Sequence, residues 1–498
     1  MVCNLAMLAI ASILVPFVAS LAIVVCPRPA AKAICIAAAG ISTLCAIMTW
    51  IGLGASGADS AHVTLAVIGG IEIMGLTIDK VSVMLATAFV SIGLLISIYS
   101  VGYLNEGNRE HPDKPRRRFY AFFTVFIGAM AGLVFSSTLI GQLMFFEITG
   151  ACSWALIGYY DTPTARKSAM KALILTHIGS LGLYVATGAL FLQTGSFSVV
   201  DIAQLGEGWK TFILLGVIFA AWAKSAQLPF YMWLPSAMEA PTPVSAYLHG
   251  ASMVKVGVAV LARELMSAGA IPEAVGWVIV IGAIITCVFS FIMYLPQTDM
   301  KRLLAFSTIS QLSYIFLAFG FYAFGSGIAL EGGIAHIFNH AFAKTLFFLT
   351  AGAFSYTLGT RMLPQLRGVL KKQPLLGVAF AFAALAIAGV PPMNGFFSKT
   401  LIFAGGFITA ANSGHPALMV IVVIALLETV GCFAWFLKWI GSVLFGELRR
   451  AFRDRRRRPA RASGHGGRLR RSVGHDRLLQ LHRCGVAWLG GGTWTDLP

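Results

Sequence analysis

Apolar runs long enough to cross a bilayer, about twenty residues each, recur along this chain from Leu5 to Phe445. Backbone in hydrocarbon must satisfy its own hydrogen bonds, so only helices or a closed barrel can be built from such runs. The runs are continuous rather than alternating, which selects helices. Composition agrees. The chain is 57% hydrophobic and 11% charged, with mean hydropathy +0.80, where a soluble domain carries about 25% charged residues. The predicted fold class is an all-α polytopic membrane protein with thirteen to fourteen transmembrane helices. Thirteen can be placed, α1 to α13, at 5–26, 33–54, 80–104, 119–137, 139–160, 168–192, 211–227, 244–263, 275–296, 303–324, 327–357, 374–411 and 415–446. The first run lacks a basic segment before it and a small-residue cleavage site after it, so it reads as a retained span. Residues 62–79 alternate around Gly69-Gly70 and predict a short β-hairpin outside the membrane.

Cysteine and charge exclude several classes. The eight cysteines are scattered without a C-x-x-C pair, which argues against a disulfide framework, an iron–sulfur cluster or a zinc site in this chain. Of the net charge of +17, residues 449–498 carry thirteen arginines against three aspartates, hence +10. Apolar periodicity stops at Gly446-Glu447. The 447–498 segment is therefore expected to be a disordered basic end or the product of a frameshift, and nucleic acid is not an expected partner. Gly52, Gly54 and Gly57 match G-x-G-x-x-G, but the match ends a membrane helix and has no βαβ context, so no dinucleotide site is expected.

Loop charge sets an expected orientation. With the N-terminus outside, fifteen loop Lys and Arg residues from Arg28 to Lys372 fall inside, against Lys80, Lys210 and Arg263 outside. Two helices are interrupted by proline near a lysine: α7 at Lys224 and Pro229, and α12 at Pro391-Pro392 and Lys399. They lie five helices apart. An odd offset reverses direction through the membrane, which predicts inverted repeats α4–α8 and α9–α13. The expected organisation is 1–118, three helices with an outer hairpin; 119–263, the first repeat; 275–446, the second; and 447–498, the tail.

Ionisable residues within the apolar wall are functional candidates: Glu147, Lys224, His249, Lys255, His336, His340, Lys344 and Lys399, with a weaker claim for Glu428. A buried ammonium that gains and loses a carboxylate partner can take up and release a proton, and Glu147 with Lys224 is the preferred pair. A static ion pair between α5 and α7 is the alternative. His336, His340 and Lys344 recur at i, i+4 and i+8 and share one face over roughly 12 Å, a ladder with gaps that water would bridge. The H-x-x-x-H spacing also suits a metal, but the Glu of H-E-x-x-H is missing. Single structural histidines are the remaining reading. On a continuous α8, His249 and Lys255 would point roughly 120° apart and could not both meet one neighbour closely.

These residues sit in stretches that carry a family resemblance. KSAQLPFYMWLPSAMEAPTPVSAYLHGASMVK, starting at Lys224, resembles the central motif of the antiporter-like proton-pumping subunits of respiratory complex I, of NADH-quinone oxidoreductase chain L type. It is also similar to the A- and D-type subunits of Mrp sodium/proton antiporters and to membrane subunits of energy-converting hydrogenases. FFEITGACSWALIGYY, DMKRLLAFSTISQLSYIF, HIFNHAFAKTLFFLTAGA and PPMNGFFSK resemble further motifs of that superfamily, in the same order. The resemblance covers about residues 80–445.

The resemblance implies that Glu147 and Lys224 are the paired glutamate and lysine of α5 and α7. It places His249, His336, His340 and Lys344 on the central polar axis and makes Lys399 an outward exit. The expected function is a proton-translocating subunit of a redox-driven complex I-like or hydrogenase-like assembly. The alternative is an A- or D-type subunit of a Na⁺/H⁺ antiporter without redox partners, and Lys255, in MVK, resembles the antiporter and hydrogenase relatives more than chain L. A truncated, non-functional copy is a third reading, suggested only by the tail, since chain L-type subunits continue into further helices. No cofactor is expected in this chain; iron–sulfur, flavin or nickel would sit in partner subunits. The expected partners are related membrane subunits, a peripheral redox arm and lipid, in a bacterial or archaeal cytoplasmic membrane.

Overall fold

The computed structural model describes residues 2–109, 111, 112 and 116–445; the expectation for the 447–498 tail lies outside the described residues. The thirteen helices are present: α1 Val2–Val25, α2 Arg28–Ser56, α3 Lys80–Tyr103, α4 Arg117–Phe135, α5 Leu139–Ile157, α6 Pro163–Thr194, α7 Glu207–Lys224, α8a Thr242–Gly250 with α8b Met253–Ser267, α9 Glu273–Tyr294, α10 Met300–Ala323, α11 Gly327–Leu358, α12a Pro374–Ala388 with α12b Asn394–Asn412, and α13 Pro416–Leu444. Ten spans, with α8 taken as one, are long and apolar enough to cross a membrane. Outside that ten are α7 and α12, whose helices stop at the breaks, and α11, which carries the His/Lys series.

Helix starts follow local chemistry. Asp79 accepts from the Ser82 amide while Ser82 Oγ accepts from the Asp79 amide, a reciprocal cap that fixes the start of α3. Thr138, Thr162, Asp299 and Ser326 cap α5, α6, α10 and α11. The hairpin pairs β1 Ser60–Ile68 with β2 Ile71–Asp79. Its turn is Gly69-Gly70, both at positive φ (59° and 81°), the geometry that a two-residue hairpin turn requires.

Both expected breaks are present. The α7 helix stops at Lys224, Ala226 turns left-handed (φ 52°), and Pro229 follows. The α12 helix stops at Ala388, with Gly389 at φ 82°, and resumes at Asn394. A third break corrects the sequence reading. The expected continuous helix at 244–263 is interrupted at Ala251 and Ser252, where Ser252 leaves helical geometry (φ −136°, ψ −116°). The Tyr247 carbonyl accepts the last helical amide of α8a, from Ala251 (3.0 Å), and Ser252 Oγ donates to the same oxygen (2.9 Å), a side-chain bond that competes with continuation of the helix. No proline or positive-φ glycine marks this break, so sequence punctuation could not announce it.

Connections alternate between two faces. On one, the hairpin bridges to Ser136 and Thr138 bridges to Ser198; Lys210 Nζ donates to the carbonyls of Ala268 (2.8 Å) and Ala270 (3.1 Å), and His415 meets Glu273 at 3.1 Å. On the other, Arg109 donates to the Thr357 carbonyl (2.6 Å), Arg361 pairs with Asp299 (2.8 Å), and Lys301 Nζ donates to the Ala240 carbonyl (2.7 Å). We call these the hairpin face and the basic face. At the bundle centre, α8 and α10 are surrounded on all sides, while α1, α6 and α13 turn large apolar side chains outward.

Candidate functional site

Every ionisable residue expected on the axis is buried except Glu147, which is partly exposed. Lys224 ends α7 with its ammonium over the Phe146 ring (4.5 Å to the centroid), donating to the Phe146 carbonyl (2.9 Å) and Thr149 Oγ1 (3.4 Å), both on α5. It makes no direct ion pair with Glu147. That carboxylate instead meets His177 Nδ1 of α6 at 3.1 Å, while its other oxygen is buried without a partner. Lys224 reaches α5, but the expected pair is not formed: the acid and the base are separated in this conformation.

The break in α8 decides which helix its two ionisable side chains meet. His249 Nδ1 lies 3.0 Å from Thr308 Oγ1 of α10, and its ring packs on Phe348 of α11 with centroids 4.5 Å apart. Lys255 Nζ lies 2.8 Å from His340 Nδ1, also on α11. Both residues therefore meet α11, against the expectation from a continuous helix. The break turns α8b relative to α8a.

Along α11, the His336 and His340 rings stand 6.1 Å apart. His336 Nε2 lies 3.2 Å from Gln311 Oε1, and its Nδ1 lies 2.9 Å from Ser398 Oγ. Since Gln311 Oε1 only accepts, His336 carries a proton on Nε2 in this arrangement. Ser398 Oγ is also 3.3 Å from the Gly395 carbonyl. When the hydroxyl donates to His336 the ring is neutral; when it donates to Gly395, Nδ1 must carry a proton. The site can thus hold His336 in either charge state without moving a backbone atom. Lys399 follows Ser398, donates to the Ile387 and Ala388 carbonyls (3.2 and 3.3 Å) that end α12a, and lies over Tyr314 (4.8 Å). Lys344 Nζ donates to Ser307 Oγ (3.0 Å).

Neither histidine is free to bind a metal through H-x-x-x-H, because His336 is held by Ser398 and Gln311, and His340 faces an ammonium. Among the described residues no group of three or more His, Cys, Asp or Glu is arranged for a metal. Asn339, between them, exchanges hydrogen bonds with Asn394 (2.9 and 3.2 Å) and ties α11 to the start of α12b.

Residues 136–428, more than half of the chain, match the family described as NADH:quinone oxidoreductase/Mrp antiporter, transmembrane. The chain belongs to this family. Residues 68–120 match the N-terminal region described for chain 5 of NADH-ubiquinone oxidoreductase (complex I). The chain is 33% identical over 394 residues to the A1 subunit of a Na(+)/H(+) antiporter of Staphylococcus aureus, covering 75% of this chain and 48% of that one. It is 34% identical over 445 residues to the A/B subunit of a probable K(+)/H(+) antiporter of Rhizobium meliloti, covering 87% and 43%. It thus spans about half the length of these curated relatives. Among solved structures, a chain of the Mrp complex from Dietzia sp. superposes with TM-score 0.74 at 26% identity, covering 90% of this chain and 47% of that one. A chain of an archaeal membrane-bound sulfane sulfur reductase shares the fold, with TM-score 0.77 at 22% identity over 90% and 91%.

As a member of the NADH:quinone oxidoreductase/Mrp antiporter family, the chain carries polar groups that inspection of charged residues alone missed. The central helix α10 supplies Ser307, Thr308, Ser310, Gln311, Ser313 and Tyr314. These meet Lys344, His249, Glu428, His336 and Gln227, and the Tyr314 ring underlies Lys399. Glu428 of α13 accepts from Ser310 Oγ (2.7 Å) and from Tyr314 OH, which links it to Lys399 through the tyrosine. His177 was missed as well. The signal for α10 was available: six hydroxyl or amide side chains among eight consecutive residues of an apolar span.

Proposed function

We propose that this chain is a proton-translocating membrane subunit of a multisubunit cation/proton antiporter of Mrp type. The observation that carries translocation is the Lys255–His340 contact, an ammonium 2.8 Å from an imidazole inside a fully enclosed polar series. Two titratable groups at hydrogen-bond distance, neither with a carboxylate partner, are suited to passing a proton and poorly suited to bracing helices. The similarity to the A1 and A/B subunits of Na(+)/H(+) and K(+)/H(+) antiporters favours the antiporter.

In this reading the basic face is cytoplasmic, the N-terminus is outside, and the membrane is bacterial or archaeal. A proton enters near Glu147 and Lys224. With Glu147 turned to His177 and Lys224 on the Phe146 carbonyl, the structure corresponds to the separated state of that pair, and their approach would load Lys224. Transfer to Lys255 and the α11 histidines needs bridging water. His249 Nε2, His340 Nε2 and Gln311 Nε2 are buried without protein partners, as such bridging requires. From His336 the proton reaches Ser398 and Lys399, then the hairpin face. In each half a broken-helix lysine covers an aromatic ring two helices earlier: Lys224 over Phe146, and Lys399 over Tyr314. This parallel supports the inverted repeat.

The redox-driven assembly is the second reading, favoured by the family's shared description with NADH:quinone oxidoreductase. Its iron–sulfur, flavin or nickel centres would belong to partner subunits. Lys255→Met tests translocation in either setting. Proton transfer in vesicles carrying the assembled complex should be lost; transfer at the wild-type rate would remove Lys255 and its contact from the path.

A further inference from the structure

Outside the axis a further carboxyl is fully enclosed. Glu264 lies on α8b nine residues after Lys255, about 180° around the helix and roughly 13.5 Å further along it, so it faces away from α11 and towards α5. Its side chain is wholly buried, and neither Oε1 nor Oε2 meets a hydrogen-bond donor among the described residues. Its polar neighbour is Gln142 of α5, whose side chain lies beside the carboxyl without meeting hydrogen-bond geometry, and Arg263 is the charge that bears on it. Arg263 is committed elsewhere, pairing with Asp79 at 2.5 and 3.1 Å. From α7, Lys210 is held by the carbonyls of Ala203, Ala268 and Ala270. On α5, Glu147 is turned to His177. Glu264 therefore lacks a dedicated counter-ion.

Gln142 Oε1 is also buried without a donor. An ionised carboxylate left bare in such a site is among the least stable arrangements a protein can hold. A proton on Glu264 changes both accounts at once, since the acid O–H donates and Gln142 Oε1 accepts. Rotating the amide presents Nε2 instead, which suits the ionised form. Beside the pair, Gln142, Arg263, Leu133 and Val260 help to line a cavity of about 10 Å³, the lower limit for one water.

We propose that Glu264 and Gln142 form a second proton-holding site at the hairpin end of α8b, which exchanges its proton with that face through the cavity beside Arg263. Its use in transport rests on the translocation reading above; its proton occupancy does not.

Infrared spectroscopy of the purified complex in H₂O and D₂O tests occupancy. A protonated-carboxyl C=O band that shifts in D₂O, disappears in Glu264→Gln and moves in Gln142→Leu is expected. The swap Glu264→Gln/Gln142→Glu should restore a carboxyl band, which guards against loss by misfolding. An unchanged carbonyl region in Glu264→Gln would overturn the site. Exchange is read separately: Glu264→Gln, near-isosteric and unable to release a proton, should slow proton transfer in vesicles about tenfold or more. The band with wild-type transfer would leave a structural proton and overturn the exchange. Normal transfer in both Glu264→Gln and Lys255→Met would instead place the failure in the translocation reading, with the infrared result standing.

Discussion

At the scale of single residues, the chemistry lies in how each buried charge is kept from its natural partner. Lys224 is solvated by a carbonyl, a hydroxyl and a ring face, contacts that hold an ammonium without neutralising it. Lys224→Ala should abolish proton transfer in vesicles while the complex still assembles, and unchanged transfer would take the residue out of the path. Tyr314 is the complementary case. Its hydroxyl donates to the enclosed Glu428, so Tyr314→Phe leaves that carboxylate with Ser310 as its hydroxyl donor. Removing a hydrogen bond to a buried charged group should cost about 1.5–3 kcal/mol, seen as an earlier thermal transition of the detergent-solubilised protein. An unshifted transition would mean that Ser310 and relaxation of the site suffice.

At the scale of elements, the break in α8 allows two residues six apart in sequence to meet the same helix. The approach of α8a to α11 leaves no room at Gly250, where an added Cβ would lie 2.1 Å from Thr345 Oγ1 and 3.1 Å from the Ala341 carbonyl. Gly250→Ala should therefore push α8a from α11 and reduce transport through the displaced His249 and Lys255. Adding Thr345→Ala, which removes the nearer clash, should recover part of it. Equal activity in all three proteins would show that the close packing does not position the axis. At the hairpin face, Asp79 is opposed by burial but held below the usual carboxylate range by Arg263 and Ser82. A carboxyl whose pKa is lowered on folding contributes stability at neutral pH that is lost as pH falls through its folded value. Acidification should thus weaken the joint between β2, α3 and α8b. Asp79→Asn should be less stable at pH 7 and lose part of the acid sensitivity in thermal unfolding; a parallel pH curve would assign the sensitivity elsewhere.

At the scale of the whole molecule, the antiporter and redox readings share one buried polar series and differ in what surrounds it. Mild-detergent extraction followed by mass spectrometry separates them. Small hydrophobic partners without metal or flavin are expected from the antiporter. Iron–sulfur with flavin or nickel subunits in fixed ratio would replace it with the redox-driven pump.

The chain by itself determined the class, the placement of the main helical segments, the hairpin and two of the three breaks. Continuous apolar runs, Gly-Gly at a turn, and proline beside a buried lysine are each local events with local causes. It also named the ionisable residues within the bundle, because any such residue in an apolar run stands out against hydrocarbon. Their connections were decided by the tertiary structure. Glu147 faces His177 rather than Lys224, Lys255 and His249 both reach α11, and α10 contributes the hydroxyls and amide that join the series. The physical reason is that a hydrogen bond between helices depends on how each rotates and where it breaks. In α8 that break is held by a serine hydroxyl and a close glycine contact, neither of which is distinctive in a one-dimensional pattern.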